Sequence, residues 1–293
     1  MSEPCVPALT ITVNDVIATW ETDDDRTRQT TLRMGEIANR FARRAITVGI
    51  HDISGVTPEV CEEFIHAPSR TGDRPSVGTT HFRRVTIRAV FRTLRSQQPS
   101  LGDPTLDIEL PPRGDRATRP LTTDEIILCR TGCYPPRSTD TRRAAAWALA
   151  EATAVTSEIP RIRPGHLDHL SQPGIVTLPG GRRTDSRVVA LTSWGAAVLG
   201  RRITEIEGNE ILAYDGDSKL PEGRQAAMCR HIERTFHAVG LDTDRSVRPS
   251  SVRLWRAQLE FERGLRIEDV ARLLGNRSLD RTALMIGYDW KAA

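Results

Sequence analysis

Long hydrophobic runs are missing: no segment of this 293-residue chain approaches the roughly 18 consecutive apolar residues that a membrane-spanning helix needs. The N-terminal MSEPCVPALTITV has no basic stretch followed by an apolar core, so a secretory signal is not expected there and a cytoplasmic protein is. Cysteine is scarce, odd in number and scattered (Cys5, Cys61, Cys129, Cys133 and Cys229), which predicts reduced thiols rather than a disulfide framework. Cys129 and Cys133 are spaced more widely than the cysteine pairs of structural zinc sites, and His166 and His169 lie beyond a long helix. Two helix-face thiols are expected, with no metal and no cofactor. A strong charge imbalance is also missing: a net charge of +3 and a pI near 8.7 do not by themselves argue for a nucleic-acid partner. Lysine is absent from the basic segments RFARR, HFRRVTIRAVFRTLR and PGGRRTDSR. Arginine grips phosphate bidentately, but GC-rich coding also favours it, so placement carries the argument. What is present, 38% hydrophobic and 27% charged residues, describes a globular chain with room for one large or two ordinary domains.

Helical spacing organises the first hundred residues. Val16, Ile17 and Trp20 predict an opening helix capped at Thr12 or Asn14, followed by the charged linker ETDDDRTRQ. Leu32, Ile37, Phe41 and Ala45 predict the apolar face of a second helix, with Arg33, Arg40 and Arg44 on another. Thr57 and Pro58 open a third. A fourth begins near Gly78 and runs to about Arg95, burying Ile87, Val90, Phe91 and Leu94. Its Arg84, Arg88, Arg92 and Arg95 recur at three- and four-residue steps with no acid among them, as a phosphate- or groove-facing stripe would.

Residues 98–120, rich in proline and without a helical period, are expected to form an interdomain linker. LTTDE then starts a helix capped by Thr122 or Thr123, and helices continue through RRAAAWALAEATAV and a short one near Ser157. Ile175 to Leu178 and Arg187 to Leu191 flank a Gly-Gly turn, a β-hairpin with arginines at its tip. Further helices follow in WGAAVLGRRITEI, GRQAAMCRHIERTFHAVG, SSVRLWRAQLEFERG and IEDVARLLG, the last ended by Gly275. Trp147, Trp194 and Trp255 are expected in the core. His166 and His169 are expected at the surface, His231 and His237 on a helix beside Arg230 and Arg234, and Tyr214 in a loop without basic neighbours suited to activating it.

This order of elements resembles the tyrosine recombinase (phage integrase) family over about Thr10 to Tyr288. TVNDVIATW with DISGVTPEVCEEFI is similar to that family's core-binding domain. TSEIPRIRPGHLD resembles the turn after its first catalytic arginine, and VRLWRAQLEFERGLRIEDVARLLGNRSLDRT the block from its second arginine towards its tyrosine. The resemblance implies a mainly α fold with a small β-hairpin, in two domains: a helical core-binding domain over 9–97, the linker 98–120, and an integrase-like catalytic-fold domain over 121–290. It also implies a cofactor-free strand transfer in which a tyrosine attacks a DNA phosphate, two arginines clamp its oxygens, and a lysine and histidines move protons.

Transferred residue by residue, that site is largely lost. The first clamp arginine falls on Val155 and the hairpin lysine on Arg182 or Arg183. Ser250 and Asn276 stand where histidines would, Met285 takes the tyrosine's place, and Arg253 alone is kept. Tyr288 lies three residues beyond, a weak candidate nucleophile. Loss of one clamp arginine costs on the order of 10³ in rate, and five of the six positions have changed.

The leading expectation is therefore a catalytically degenerate binder of double-stranded DNA, architectural or regulatory and nucleoid-associated. Arg84, Arg88, Arg92, Arg95, Arg182, Arg183, Arg253 and Arg256 would face the DNA. An active divergent recombinase using Tyr288, with Arg161 or Arg163 as clamp, is the second reading, and an interaction scaffold without a DNA role is the third. Only Asp289 to Ala293 follow Tyr288, too short a stretch for the tail helix that active relatives exchange. Dimerisation through other surfaces, or association with an active recombinase, stays open.

Overall fold

Thr27, Ser76 and Thr122 each begin a helix with the hydroxyl that an N-terminal turn requires. Their side chains accept from the backbone N–H groups of Thr30 at 3.2 Å, Thr79 at 3.2 Å and Glu125 at 3.1 Å. At Thr122 the Glu125 carboxylate reaches back to the Thr122 N–H at 2.8 Å, completing a reciprocal cap. The computed structural model describes residues 7–23, 26–69, 71–111, 118–135 and 139–288. The chain divides into two units, Met1–Asp115 and Arg116–Ala293.

The first unit holds α1 (Ala8–Glu21), α2 (Arg28–Thr47), α3 (Pro58–His66) and α4 (Val77–Gln97). Trp20, Phe41, Ile65, Ile87 and Phe91 fill its interior. Phe41 meets Phe64 edge-on at 5.3 Å, and the Trp20 indole N–H donates to Thr93 at 2.9 Å. Buried Arg83 closes the end of α3, donating to the carbonyls of Phe64, Ile65 and Ala67. Three expectations change here. α1 follows Pro7 and has no side-chain cap, because the helix starts before Thr12 and Asn14. Leu32 is exposed, and the buried face of α2 runs instead through Thr31, Met34, Ala38, Phe41 and Ala45. The segment expected as a linker is bound to this unit over much of its described length: Ile108 is buried in the core, with Leu101 and Leu110 packed against it. Residues 112–117 of that segment lie outside the described residues.

The second unit contains α5 (Thr123–Gly132), α6 (Arg142–Glu151), β1 (Ile175–Leu178), β2 (Arg187–Ala190), α7 (Ser193–Thr204), α8 (Pro221–Ala238), α9 (Ser250–Glu262), α10 (Ile267–Leu274) and α11 (Leu279–Ile286). The short helix expected near Ser157 is a 3-10 turn over Ile159–Arg161. α6 is buried on nearly every side, with Ala144 to Ala146, Trp147, Leu149 and Ala150 all enclosed, so it forms the axis of the unit. Trp147 packs edge-on to Phe236 at 5.7 Å. Its indole N–H donates to buried Glu151, which also accepts from Arg130 Nε and Nη2 and from the Thr192 hydroxyl. Trp255 is buried, whereas Trp194 is only partly so and lies under the Arg130 guanidinium. Cys129 and Cys133 are buried thiols, and burial pushes Cys129 up to about 12. The strands pair antiparallel, Ile175 opposite Ala190 and Leu178 opposite Arg187, so Val176, Leu178, Arg187 and Val189 point inward. Among the described residues no helix is long and apolar enough to cross a membrane.

Arg119 ties the start of this unit to its later part, donating to Glu125 at 2.7 and 2.8 Å and to Asp244 at 2.8 Å. Hydrogen bonds from Ser246, then from Arg119, hold the Asp244 carboxyl down at about 2. A depressed carboxyl stabilises the fold above its unfolded value, roughly pH 4, and that contribution fades as pH falls through the folded one. Carboxyl NMR titration is expected to place the Asp244 midpoint near 2, and Ser246→Ala to raise it. A midpoint at the ordinary aspartate value in the unaltered protein would contradict this.

Candidate DNA-facing site

Arg187, which strand alternation turns inward, organises the second unit's candidate site. Its guanidinium meets the fully buried Glu158 carboxylate through two parallel bonds of 2.8 and 3.0 Å. The remaining donors go to the carbonyls of Thr153 at 2.7 Å, Leu273 at 3.0 Å and Asp185 at 3.1 Å. Thr153 has a backbone φ of 67°, in the left-handed region that a β-branched residue rarely enters. Its hydroxyl donates to the Leu273 carbonyl at 2.6 Å, so the strained turn is held against the end of α10. These bonds gather the turn carrying Val155, the hairpin and the segment Leu273–Asn276.

Arg253 occupies the first turn of α9 and is 8% exposed. One nitrogen donates to the Leu274 carbonyl at 2.6 Å, while its Nε is buried without a hydrogen-bond partner. Burial, then the neighbouring Arg187 charge, pulls its pKa down to about 10. Gly275 follows α10 with φ 66°, and a Cβ there would stand 2.9 Å from both the Asp185 carbonyl and an Arg187 nitrogen. Only glycine permits this approach of hairpin to turn, which is sealed by Asp185 N–H donating to the Gly275 carbonyl at 3.0 Å.

Asn276 then points its amide at α11, donating to the Thr282 hydroxyl at 3.1 Å and to Met285 Sδ at 3.4 Å. Asn276 and Met285 are therefore neighbours in space. Tyr288 is elsewhere: its ring lies against Phe261, with centroids 5.1 Å apart. Phe261 stands eight residues beyond Arg253 on α9, about 12 Å along the helix axis. The residues 289–293, where no tail helix is expected, lie outside the described residues.

The other candidate positions divide clearly. Val155 is half-buried; its backbone N–H donates to the Glu158 carboxylate at 2.8 Å, and its carbonyl accepts from the Glu158 and Ile159 N–H groups. Ser250, the first residue of α9, is exposed. Arg182 and Arg183 are exposed at the hairpin tip, where Gly181 bridges to Thr184. Arg161 donates to the Gly180 carbonyl at 2.7 Å and Arg163 to the Asn209 carbonyl, so both support loops. His166 accepts from the Arg163 N–H at 3.2 Å, and exposed His237 pairs with Asp242 at 2.8 Å. His231 is part-buried, and burial together with Arg143 and Arg234 lowers its pKa. Tyr214 is buried, accepts from the Ser218 N–H at 3.0 Å, and has Arg224 over its ring at 5.6 Å rather than at its hydroxyl.

The α4 stripe is less bare than its sequence. Asp103, from the segment packed on this unit, lies 3.5 Å from Arg88 and 3.4 Å from Arg95. Arg84 donates to the carbonyls of Thr105 and Leu106. Arg92 is exposed with no side-chain partner among the described residues, and Arg88 is half-exposed. Arg256 is not a surface arginine: it is buried, with Glu260 at 2.7 Å and the Ala190 carbonyl at 3.4 Å. Sequence reasoning missed the buried ion pair of Arg187 and Glu158. The signal available was an arginine on the same parity as Val189 in a two-residue alternation.

No protein-family model matches the chain, and no curated protein matches it. Solved structures do. A lambda integrase dimer bound to a COC′ core site superposes with a TM-score of 0.72 at 15% identity, covering 96% of this chain and 78% of that one. The Tn1549 transposon integrase in complex with transposon right end DNA gives 0.68 at 12% identity, covering 96% of each chain. XerH recombinase bound to difH substrate, in a pre-cleavage complex, gives 0.70 at 14% identity, covering 99% of this chain and 96% of that one. The chain thus has the tyrosine recombinase fold, mainly α with one small two-stranded sheet.

Proposed function

We propose that this chain binds double-stranded DNA with a tyrosine recombinase fold and does not cut it. The observation that carries the reading is the Asn276 amide resting on Met285 Sδ while Tyr288 packs against Phe261. A thioether has no ionisable proton and an amide no basic nitrogen, so neither nucleophile nor proton donor is available at that point. Val155 adds no cation for the developing phosphate charge. The arginines suited to backbone contact are on the surface: Arg182 and Arg183 in the second unit, Arg88 and Arg92 in the first. Arg84 and Arg95 flank the latter pair while bound to the 103–106 segment, and Arg253 and Arg256 act from within. An architectural or regulatory role follows from binding without cleavage, and the proteins named above, bound to DNA as dimers or complexes, support duplex DNA as the partner.

The test is a nicked suicide duplex that would trap a covalent protein–DNA adduct. No adduct is expected, and Tyr288→Phe should bind the duplex as the unaltered chain does. An adduct abolished by Tyr288→Phe would overturn the reading in favour of an active recombinase. Mapping bound sites across the genome then separates a dispersed architectural or regulatory role from a single site beside its own gene.

A further inference from the structure

The buried Arg253 leaves a question of charge. Its guanidinium is almost enclosed, yet one nitrogen reaches a carbonyl, Nε reaches nothing, and the nearby Glu158 carboxylate is occupied by Arg187. Enclosing a cation with so few partners is unfavourable unless an anion completes the site. A second cation adds to the imbalance. α11, which carries Arg281, packs against α9, which carries Arg253, and the Arg281 charge adds to the lowering of the Arg253 pKa after burial and Arg187. The Arg281 side chain is exposed and has no hydrogen-bond or ion-pair partner among the described residues; only its backbone N–H is used, by the Ser278 cap at 3.2 Å.

Arg281 is also the third residue of α11, where the helix dipole favours an acid over a base. Helical geometry puts it one turn before Met285, on the same face as the side chain that Asn276 touches. Of these two like charges, one is buried and one sits at an unfavourable helix position, and neither has an ion-pair partner of its own among the described residues. A dianionic or diester phosphate, offering two oxygens, relieves both.

We propose that Arg281 is the second cation of a phosphate seat. With Arg253 it grips the non-bridging oxygens of one DNA backbone phosphate, supplying from α11 the guanidinium that Val155 does not. This rests on the DNA-binding reading and names the residue by which the altered site still holds its phosphate. The seat binds and does not cleave, since Met285 lies where a nucleophile would be needed.

Arg281 is exposed, so its removal leaves the core intact, and a melting curve verifies this. Binding to a fluorescein-labelled duplex of mixed sequence is read by anisotropy across a salt series. Arg281→Ala is expected to bind about tenfold more weakly at about 50 mM salt, with a salt slope shallower by roughly 0.9, the value for one phosphate contact. Arg281→Lys keeps the charge and should keep the slope. Arg272→Ala, which removes an exposed arginine already paired with Asp269, should stay within about twofold of the unaltered chain. Unchanged affinity and slope in Arg281→Ala, beside steep salt dependence in the unaltered chain, would overturn this inference alone. No salt-dependent binding by the unaltered chain would overturn the DNA reading with it.

Discussion

Glu158→Ala is expected to lower the stability of the second unit by about 3–5 kcal/mol, the cost of leaving a buried charge without its partner. Arg187 is nearly inaccessible and Glu158 wholly so, and among the described residues each is the other's one ion-pair partner. Removing the carboxylate leaves a guanidinium that keeps its carbonyl partners but has no counter-ion. A domain of ordinary stability, about 5–15 kcal/mol, would then be close to its unfolding threshold. The measurement is urea unfolding followed by tryptophan fluorescence. Replacing both partners, Glu158→Leu with Arg187→Met, should be milder than Glu158→Ala alone, because no isolated charge remains. A loss below about 1 kcal/mol for Glu158→Ala would mean that the pair does not hold the turn, hairpin and α10 together.

That pair marks the limit of what the sequence discloses. Ser, Thr and Gly signals act over three or four residues, so the cap at Thr122 and the stop at Gly275 are readable from local pattern. The hairpin is readable for the same reason. Asn276 and Met285 stand out through the family resemblance alone, and their contact is seen only in the structure. Partners supplied by a distant segment are different. The α4 stripe has no acid within its own helix, yet Asp103 answers two of its arginines from a stretch whose prolines suggest a loose linker. Ile108 reveals why: it is buried in the core of the first unit, with Leu101 and Leu110 packed against that core on either side of it. Arg256 reads as basic surface, but α9 is buried over its first turns, and its Glu260 neighbour one turn on accompanies it inward. Arg281, in turn, has no meaning in sequence until α11 is seen packed against α9 and Arg253 is found without an ion-pair partner among the described residues.

Reversing both hairpin-tip arginines, Arg182→Glu with Arg183→Glu, is expected to reduce duplex affinity by about 100-fold or more at low salt and to make the salt slope shallower by nearly 2, at roughly 0.9 per phosphate contact. The size of the effect follows from how the tip is held. Beneath it, Arg187 donates to the Asp185 carbonyl, Arg161 to Gly180, and Arg277 to the Asp185 carboxylate at 2.8 Å, while Asp185 N–H donates to the Gly275 carbonyl. Gly180, with φ 69°, turns so tightly that a Cβ there would stand 2.5 Å from the Ser186 nitrogen. The two arginines between these anchors are exposed and make no hydrogen bond of their own among the described residues, so their charges are presented on a rigid base at little entropic cost on binding. The same lack of contacts means that melting temperature should hardly move in the doubly reversed chain, which separates a binding defect from a folding one. Affinity within about threefold of the unaltered protein, with the slope preserved, would show that the hairpin tip stands away from the phosphates and that the duplex is held by other arginines.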